Sequence, residues 1–239
     1  MDVVALLTDH DQSAAVMTTA PEPPIGRYRR VPVEIHQADP QAPEVARRLI
    51  ALIATRWPRT PAEHVGSSAV PELAGKGIID LLVAADPADI PAITQVLREL
   101  GFQPQIPAVF PATRPMLWGT YCPGAIDYRV HVHVVPVSSP EVAAMRGFRD
   151  ALRADPILRR QYAALKGAIV ERGPVDPVTF SNAKHDWIVV TLGQLGLANP
   201  WQRRLYDDAP ASSAHSSPRS FTAAGVAGLC PAWHTGSSW

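Results

Sequence analysis

Cysteine is nearly absent from this chain. Cys122 and Cys230 are the only two in 239 residues, too few for a disulfide framework or a cysteine-rich zinc site, so a reducing cytoplasm is the expected compartment. An excess of charge is also lacking: 22 Lys and Arg balance 22 Asp and Glu. No net field draws the protein toward nucleic acid or an anionic membrane, and any anionic ligand must be held by local groups. No run approaches the ~18 consecutive apolar residues of a membrane span. The first twenty residues have no basic start and are interrupted by Asp9, His10, Asp11 and Gln12, unlike a signal peptide. The expectation is a soluble protein with neither a nucleic-acid nor a membrane partner. Internal repeats are missing too.

Apolar residues, at 46% against 18% charged, suit a globular core, while the 25 prolines and the alanine-rich ends fall outside that pattern. We expect a disordered leader over 1–27, one domain over 28–200 and a disordered tail over 207–239, where Ala, Ser, Gly and Pro replace periodicity. Val31, Val33 and Ile35 alternate with polar or proline positions as a strand or extended arm. Asp39 is placed to cap a helix over 40–55, with Val45, Leu49, Leu52 and Ile53 on one stripe. The run 78–83 reads as a strand covered on both faces, with Asp80 its one charge. Asp89 or Pro91 opens a helix that Gly101 closes. Segments 116–121 and 127–137 pair as a hairpin, and helices follow over 141–154, 156–170 and 180–195. This order argues for an α/β (α+β) fold with a mixed sheet flanked by helices.

Two constellations carry chemistry. In the first, a Gly66-Ser67-Ser68 turn precedes Lys76 and Asp80. A Gly-Ser turn at a helix start offers N–H groups and a hydroxyl to phosphate, and a nearby carboxylate holds a bridging cation. Such turns are more often simple caps. A lone carboxylate inside a buried strand is harder to dismiss, because it costs several kcal/mol unless compensated, by a cation or by a partner such as Lys76 or Arg129. In the second, Arg129, His131 and His133 share one face of a strand while Val130, Val132 and Val134 take the other. That face suits metal ligation by the histidines and phosphate binding by the arginine. Lys166 beside Tyr162, and Lys184 beside Phe180, read as surface lysines. Arg146, Arg149 and Arg153 read as a solvated helix face.

The stretch Glu63-His-Val-Gly-Ser-Ser-Ala-Val-Pro-Glu-Leu-Ala-Gly-Lys-Gly-Ile-Ile-Asp-Leu-Leu-Val83 closely resembles the signature of the GrpB-like family, a branch of the nucleotidyltransferase superfamily. His131-Val-His133-Val, Phe148-Arg-Asp-Ala-Leu-Arg153, Tyr162 with Lys166, and Phe180 through Lys184 match later family segments. The resemblance spans about 170 residues and excludes both tails. It implies a nucleotidyltransferase-like fold, with Gly66-Ser67 on the phosphate side and Asp80 as the first acid of an Asp-x-Asp pair. Leu82 occupies the second acid's place, and the His131–His133 strand carries no third, which argues against a standard two-metal centre.

The reading that follows is a metal-dependent transferase that moves a nucleotidyl or phosphoryl group from a nucleoside triphosphate to a small acceptor. Asp80, His131, His133 and Arg129 are its candidate catalytic residues. Gly66, Ser67, Ser68, Lys76 and Lys184 are the candidate nucleotide-binding residues, and Asp80 and His133 the candidate ligands of Mg²⁺ or Mn²⁺. The alternative is a non-catalytic nucleotide- and metal-binding module, linked to coenzyme A metabolism because family members occur fused to a dephospho-CoA kinase. A histidine-dependent nucleotide hydrolase ranks last, since Val135 stands where the histidine-triad motif needs its third histidine.

Overall fold

The computed structural model describes residues 22–106 and 110–201. Its sheet is built from β1 (Ile25–Gly26), β2 (Ala62–Val65), β3 (Ile78–Ala85), β4 (Gln103–Pro104), β5 (Met116–Tyr121) and β6 (Tyr128–Pro136). The strand order is β1-β5-β6-β3-β2, with β4 also on β5. Only β3 and β6 run parallel; every other pair is antiparallel, including the β5–β6 hairpin expected from the sequence. Five helices complete the mixed α/β architecture: α1 (Ala42–Arg56), α2 (Ile90–Glu99), α3 (Pro140–Ala154), α4 (Pro156–Glu171) and α5 (Pro177–Gln194).

Period-two alternation sorts the central strands. Ile79, Leu81 and Val83 of β3 and Val130, Val132 and Val134 of β6 face α1 and α2, which contribute Val45, Leu49, Ile53, Ile93 and Leu97 to one continuous core. Each residue here is at most 4% exposed, so burying a side chain of this size is worth about 1.5–3 kcal/mol. The opposite face carries the polar residues. Over it lie two smaller apolar clusters, one around Val65, Leu82, Val135 and Val142, the other around Val70, Leu73, Leu152, Tyr162 and Leu165.

Helices α3, α4 and α5 each begin with proline behind a capping residue: Ser139 accepts from Glu141 N, Asp155 from Ile157 N and Leu158 N, and Asp176 from Val178 N and Thr179 N. Asp176-Pro177 therefore moves the start of the last helix ahead of Phe180, where apolar spacing alone had put it. Asp39 does not cap α1. It accepts from Gln41 N at 2.8 Å, a turn that precedes a helix beginning at Ala42. Residues 31–35 form no strand, and the arm meets the body through paired hydrogen bonds between His36 and Gly75.

The leader boundary at residue 27 is corrected by β1. Ile25, 1% exposed, belongs to the main core and pairs with Tyr121. Gly101 makes that docking possible, because at its φ of 106° a Cβ would lie 2.0 Å from the Ile25 carbonyl oxygen. Residues 1–21 of the expected leader, and all of the expected tail over 207–239, lie outside the described residues. Among the described residues no helix is long and apolar enough to cross a membrane.

Candidate functional site

The parallel register of β3 and β6 sets Asp80 opposite His131 and Leu82 opposite His133. Residues two apart point to the same side, so Asp80, His131 and His133 converge on the polar face. His131 Nδ1 lies 3.3 Å and His133 Nε2 3.5 Å from the same oxygen, Asp80 Oδ1. One ligand atom from each residue falls within 4.8 Å of the others. Burial pushes the Asp80 carboxyl up, but hydrogen bonding and charge from the two imidazoles outweigh it and hold the group well below the usual carboxylate range. Burial pushes His131 down, against the attraction of Asp80.

The compensating partners of Asp80 are thus the imidazoles, not Lys76 or Arg129. Arg129 instead donates to the Lys76 carbonyl. Beside it, the Tyr28 hydroxyl lies 3.0 Å from His131 Nε2, and the Trp118 ring stacks on the imidazole with centroids 5.7 Å apart. Tyr28, upstream of every motif read from the sequence, was missed because nothing local ties an arm residue to a strand 103 positions away.

Gly66 adopts φ 72° and ψ −169°, a conformation essentially reserved for glycine, and a Cβ there would come 2.5 Å from Asp80 Oδ2. The turn is therefore pressed directly against the carboxylate. It leads into a single 3₁₀ turn, Ser67–Ala69, not into an α-helix. The helix start expected from the sequence is therefore not formed here. Ser68 is committed elsewhere, with its Oγ 3.0 Å from Nε2 of His64, whose pKa burial lowers to about 4.

Three lysines gather near this turn. Lys166, 1% exposed, donates to Ser67 Oγ at 3.1 Å and to the Ala74 carbonyl, with its ammonium 4.6 Å from the Tyr162 ring centre. Lys76 and Lys184 approach the same Phe180 ring, at 5.2 and 4.5 Å. Among the described residues no carboxylate forms a salt bridge with any of the three. Burial, aided by repulsion from Lys184 and Lys76, pushes Lys166 down to about 7. Burial, aided by Lys184 and offset in part by Asp80, brings Lys76 to about 8, and burial offset by Asp80 brings Lys184 to about 8. Lys166 is not a surface lysine. The repeated aromatic-x-x-x-Lys spacing, Tyr162 with Lys166 and Phe180 with Lys184, was the signal that could have found it.

The arginines of α3 are not a solvated face either. Arg146 pairs with Glu63, Arg149 Nη1 donates to the His64 carbonyl at 3.1 Å, and Arg153 Nε donates to the Ala69 carbonyl at 2.9 Å. Together they clamp α3 onto β2 and the glycine-serine turn.

The GrpB protein family matches residues 32–193, a span containing the Asp80 cluster and all three lysines. The UPF0157 protein PA4798 of Pseudomonas aeruginosa is 33% identical over 166 residues, covering 68% of this chain and 67% of that protein. The UPF0157 protein YqkA of Bacillus subtilis is 28% identical over 128 residues, and the match spans 52% of this chain but 35% of that longer protein. The crystal structure of the conserved protein GrpB from Enterococcus faecalis superposes with a TM-score of 0.57 at 20% identity, covering 68% of this chain and 96% of the other, which is a likeness of fold. By the extent of the family match, this chain belongs to the GrpB protein family.

Proposed function

We propose that this protein is a metal-dependent transferase that moves a nucleotidyl or phosphoryl group from a nucleoside triphosphate to a small acceptor. The observation that carries the reading is the convergence of Lys76, Lys166 and Lys184, three ammonium groups that form no salt bridge with any described carboxylate, with Lys166 on Ser67 and Asp80 across the turn. Cations partly withdrawn from water, with only the charge of Asp80 nearby to offset two of them, are costly to keep, and a polyphosphate supplies further counter-charge. In this reading the lysines and Ser67 hold phosphate oxygens, and Arg129, on the same face as His131, meets the charge that develops on transfer.

A nucleotidyltransferase-type centre implies Mg²⁺ or Mn²⁺ held by several carboxylates. The residues here fit one cation, not two: Asp80 is the one acid, with His131 and His133 beside it, and Leu82, 0% exposed, fills the second acid's place. Such a cation would neutralise and bridge phosphate oxygens. In either transfer a bond forms from an acceptor oxygen or nitrogen to the attacked phosphorus. The phosphorus–oxygen bond opposite breaks, pyrophosphate or a nucleoside diphosphate leaves toward the lysines, and the acceptor's proton passes to solvent. A hollow of about 600 Å³ lined by Tyr28, Arg30, Gln103 and Trp118, two of whose rings touch His131, offers the acceptor an aromatic and cationic wall. The absence of a second acid favours one other reading, a module that binds nucleotide and cation without turnover.

Calorimetric titration of each nucleoside triphosphate, with and without divalent cation, into the wild type and Asp80→Asn tests the proposal. Cation-dependent binding that disappears in a folded Asp80→Asn supports it, and absence of binding by every nucleotide overturns it. Binding without transfer to any acceptor selects the second reading.

A further inference from the structure

The geometry points to a single site for a nitrogen-accepting first-row transition ion, of the Zn²⁺, Co²⁺ or Fe²⁺ class, formed by Asp80, His131 and His133. This deepens the transferase reading and rests on it for the ion's use, but not for its binding. Mg²⁺ demands oxygen ligands in near-octahedral geometry and retains several waters, whereas imidazole suits zinc, iron, copper and nickel. Two of the three donors are imidazole nitrogens.

Spacing supports the same class. The Asp80 Oδ1 contacts, 3.3 Å to His131 Nδ1 and 3.5 Å to His133 Nε2, are long for N–H···O hydrogen bonds, which cluster near ~2.9 Å. Ligand atoms ~2.0–2.1 Å from a tetrahedral zinc are separated from one another by ~3.3–3.4 Å. The two contacts therefore match edges of a zinc coordination polyhedron.

Among the described residues no further carboxylate joins the cluster to build an oxygen cage. Leu82 stands in register with His133 and packs with Val65, Val135 and Val142. Glu63, in register with Leu82 on β2, is occupied by Arg146 and Arg149. The outer shell instead serves the imidazoles: Tyr28 holds His131 at Nε2 and Trp118 fixes the plane of its ring, which aims Nδ1 at Asp80. The side chains of Asp80, His131 and His133 remain 25%, 15% and 19% exposed, so the ion would keep an open position for water or a phosphate oxygen. Three protein ligands with one open position is the usual catalytic zinc arrangement.

The test uses the full, untagged chain stripped of metal, titrated calorimetrically with Zn²⁺, Co²⁺ and Mg²⁺ in the absence of nucleotide. The expected result is one Zn²⁺ per chain, bound at least about 100-fold more tightly than Mg²⁺, with visible Co²⁺ absorption of a nitrogen-ligated ion of low coordination number. His131→Gln and His133→Gln should each weaken Zn²⁺ at least about tenfold with unchanged circular dichroism, while His185→Gln, away from the cluster, leaves it unaltered. Mg²⁺ binding as tight as Zn²⁺ overturns the proposal, as does Zn²⁺ affinity indifferent to both cluster variants. The Co²⁺ spectrum of the wild type decides even if a variant misfolds. ATP binding on the same samples separates the two ideas: Zn²⁺ bound without ATP contradicts only the transferase reading, and ATP bound without Zn²⁺ preference contradicts only the metal assignment.

Discussion

Replacing Lys166 with methionine should make this protein more stable while removing its grip on polyphosphate. The ammonium is 1% exposed, and its pKa of about 7 in the fold compares with an ordinary 10.5. At 1.36 kcal/mol per pKa unit, holding this group protonated near pH 7 costs roughly 4–5 kcal/mol relative to the unfolded chain. Methionine has similar length and carries no such cost. The substitution removes the ammonium's hydrogen bonds to Ser67 Oγ and the Ala74 carbonyl, which takes back about 1 kcal/mol each. The expected net gain is about 2 kcal/mol at pH 7. Because the folded pKa is depressed, the unfolded chain binds more protons between the two values, and wild-type stability rises as pH climbs from about 7 toward 10.5. The advantage of Lys166→Met should therefore shrink over that window. Urea denaturation at pH 7 and at about pH 9.5, with and without tripolyphosphate, measures both effects, and the wild type alone should gain ~2.7 kcal/mol at 100 times the ligand's Kd. A variant destabilised by more than about 1 kcal/mol at pH 7, or equal stabilisation of both proteins by tripolyphosphate, would refute the reasoning.

Gly66→Ala should cost about 3 kcal/mol in urea denaturation, from a glycine-only backbone geometry plus the approach to Asp80 Oδ2, and a loss below about 1 kcal/mol would mean that the turn is not pressed on the carboxylate. Tripolyphosphate affinity should fall at least about tenfold as pH rises through about 7 and 8, where Lys166, Lys76 and Lys184 lose their protons, and affinity sustained to pH ~10 contradicts a buried lysine site. Glu63→Gln should lower stability by about 1–3 kcal/mol by leaving Arg146 without its carboxylate and Arg149 with Asp150 alone, and a thermal or urea midpoint unchanged from wild type would show that the clamp is ornamental.

Local chemistry made parts of this molecule readable in advance. The apolar run around Asp80 announced a covered strand, and alternation along 129–134 put Arg129, His131 and His133 on one face. Non-local pairing was not readable. That β3 lies parallel to β6, setting Asp80 opposite His131, depends on a crossover with no local signature, so the carboxylate's partners were sought in the wrong residues. Lys166 was misjudged because its one sequence mark, the aromatic-x-x-x-Lys spacing shared with Lys184, is also ordinary on a solvated helix; the packing of α4 over the turn is what encloses it. Ile25 failed for the opposite reason. Two residues among prolines show no period, and the strand exists because Gly101 and Gly119 leave room for it, a Cβ on Gly119 falling 2.2 Å from Ile25 Cγ2. The α3 arginines have helical spacing typical of a solvated face, and their acceptors on β2 and the turn lie more than eighty residues away.

If the lysines hold phosphate, a triphosphate and not the nucleoside alone is what this site grips. Calorimetric titration of ATP and of adenosine into the wild type and Lys184→Met, with a saturating divalent cation, tests it most directly. The account predicts that ATP binds at least about 100-fold more tightly than adenosine, and that Lys184→Met, still folded, loses at least about tenfold in ATP affinity with adenosine unaffected. Equal affinity for ATP and adenosine, or full ATP affinity in Lys184→Met, would contradict it.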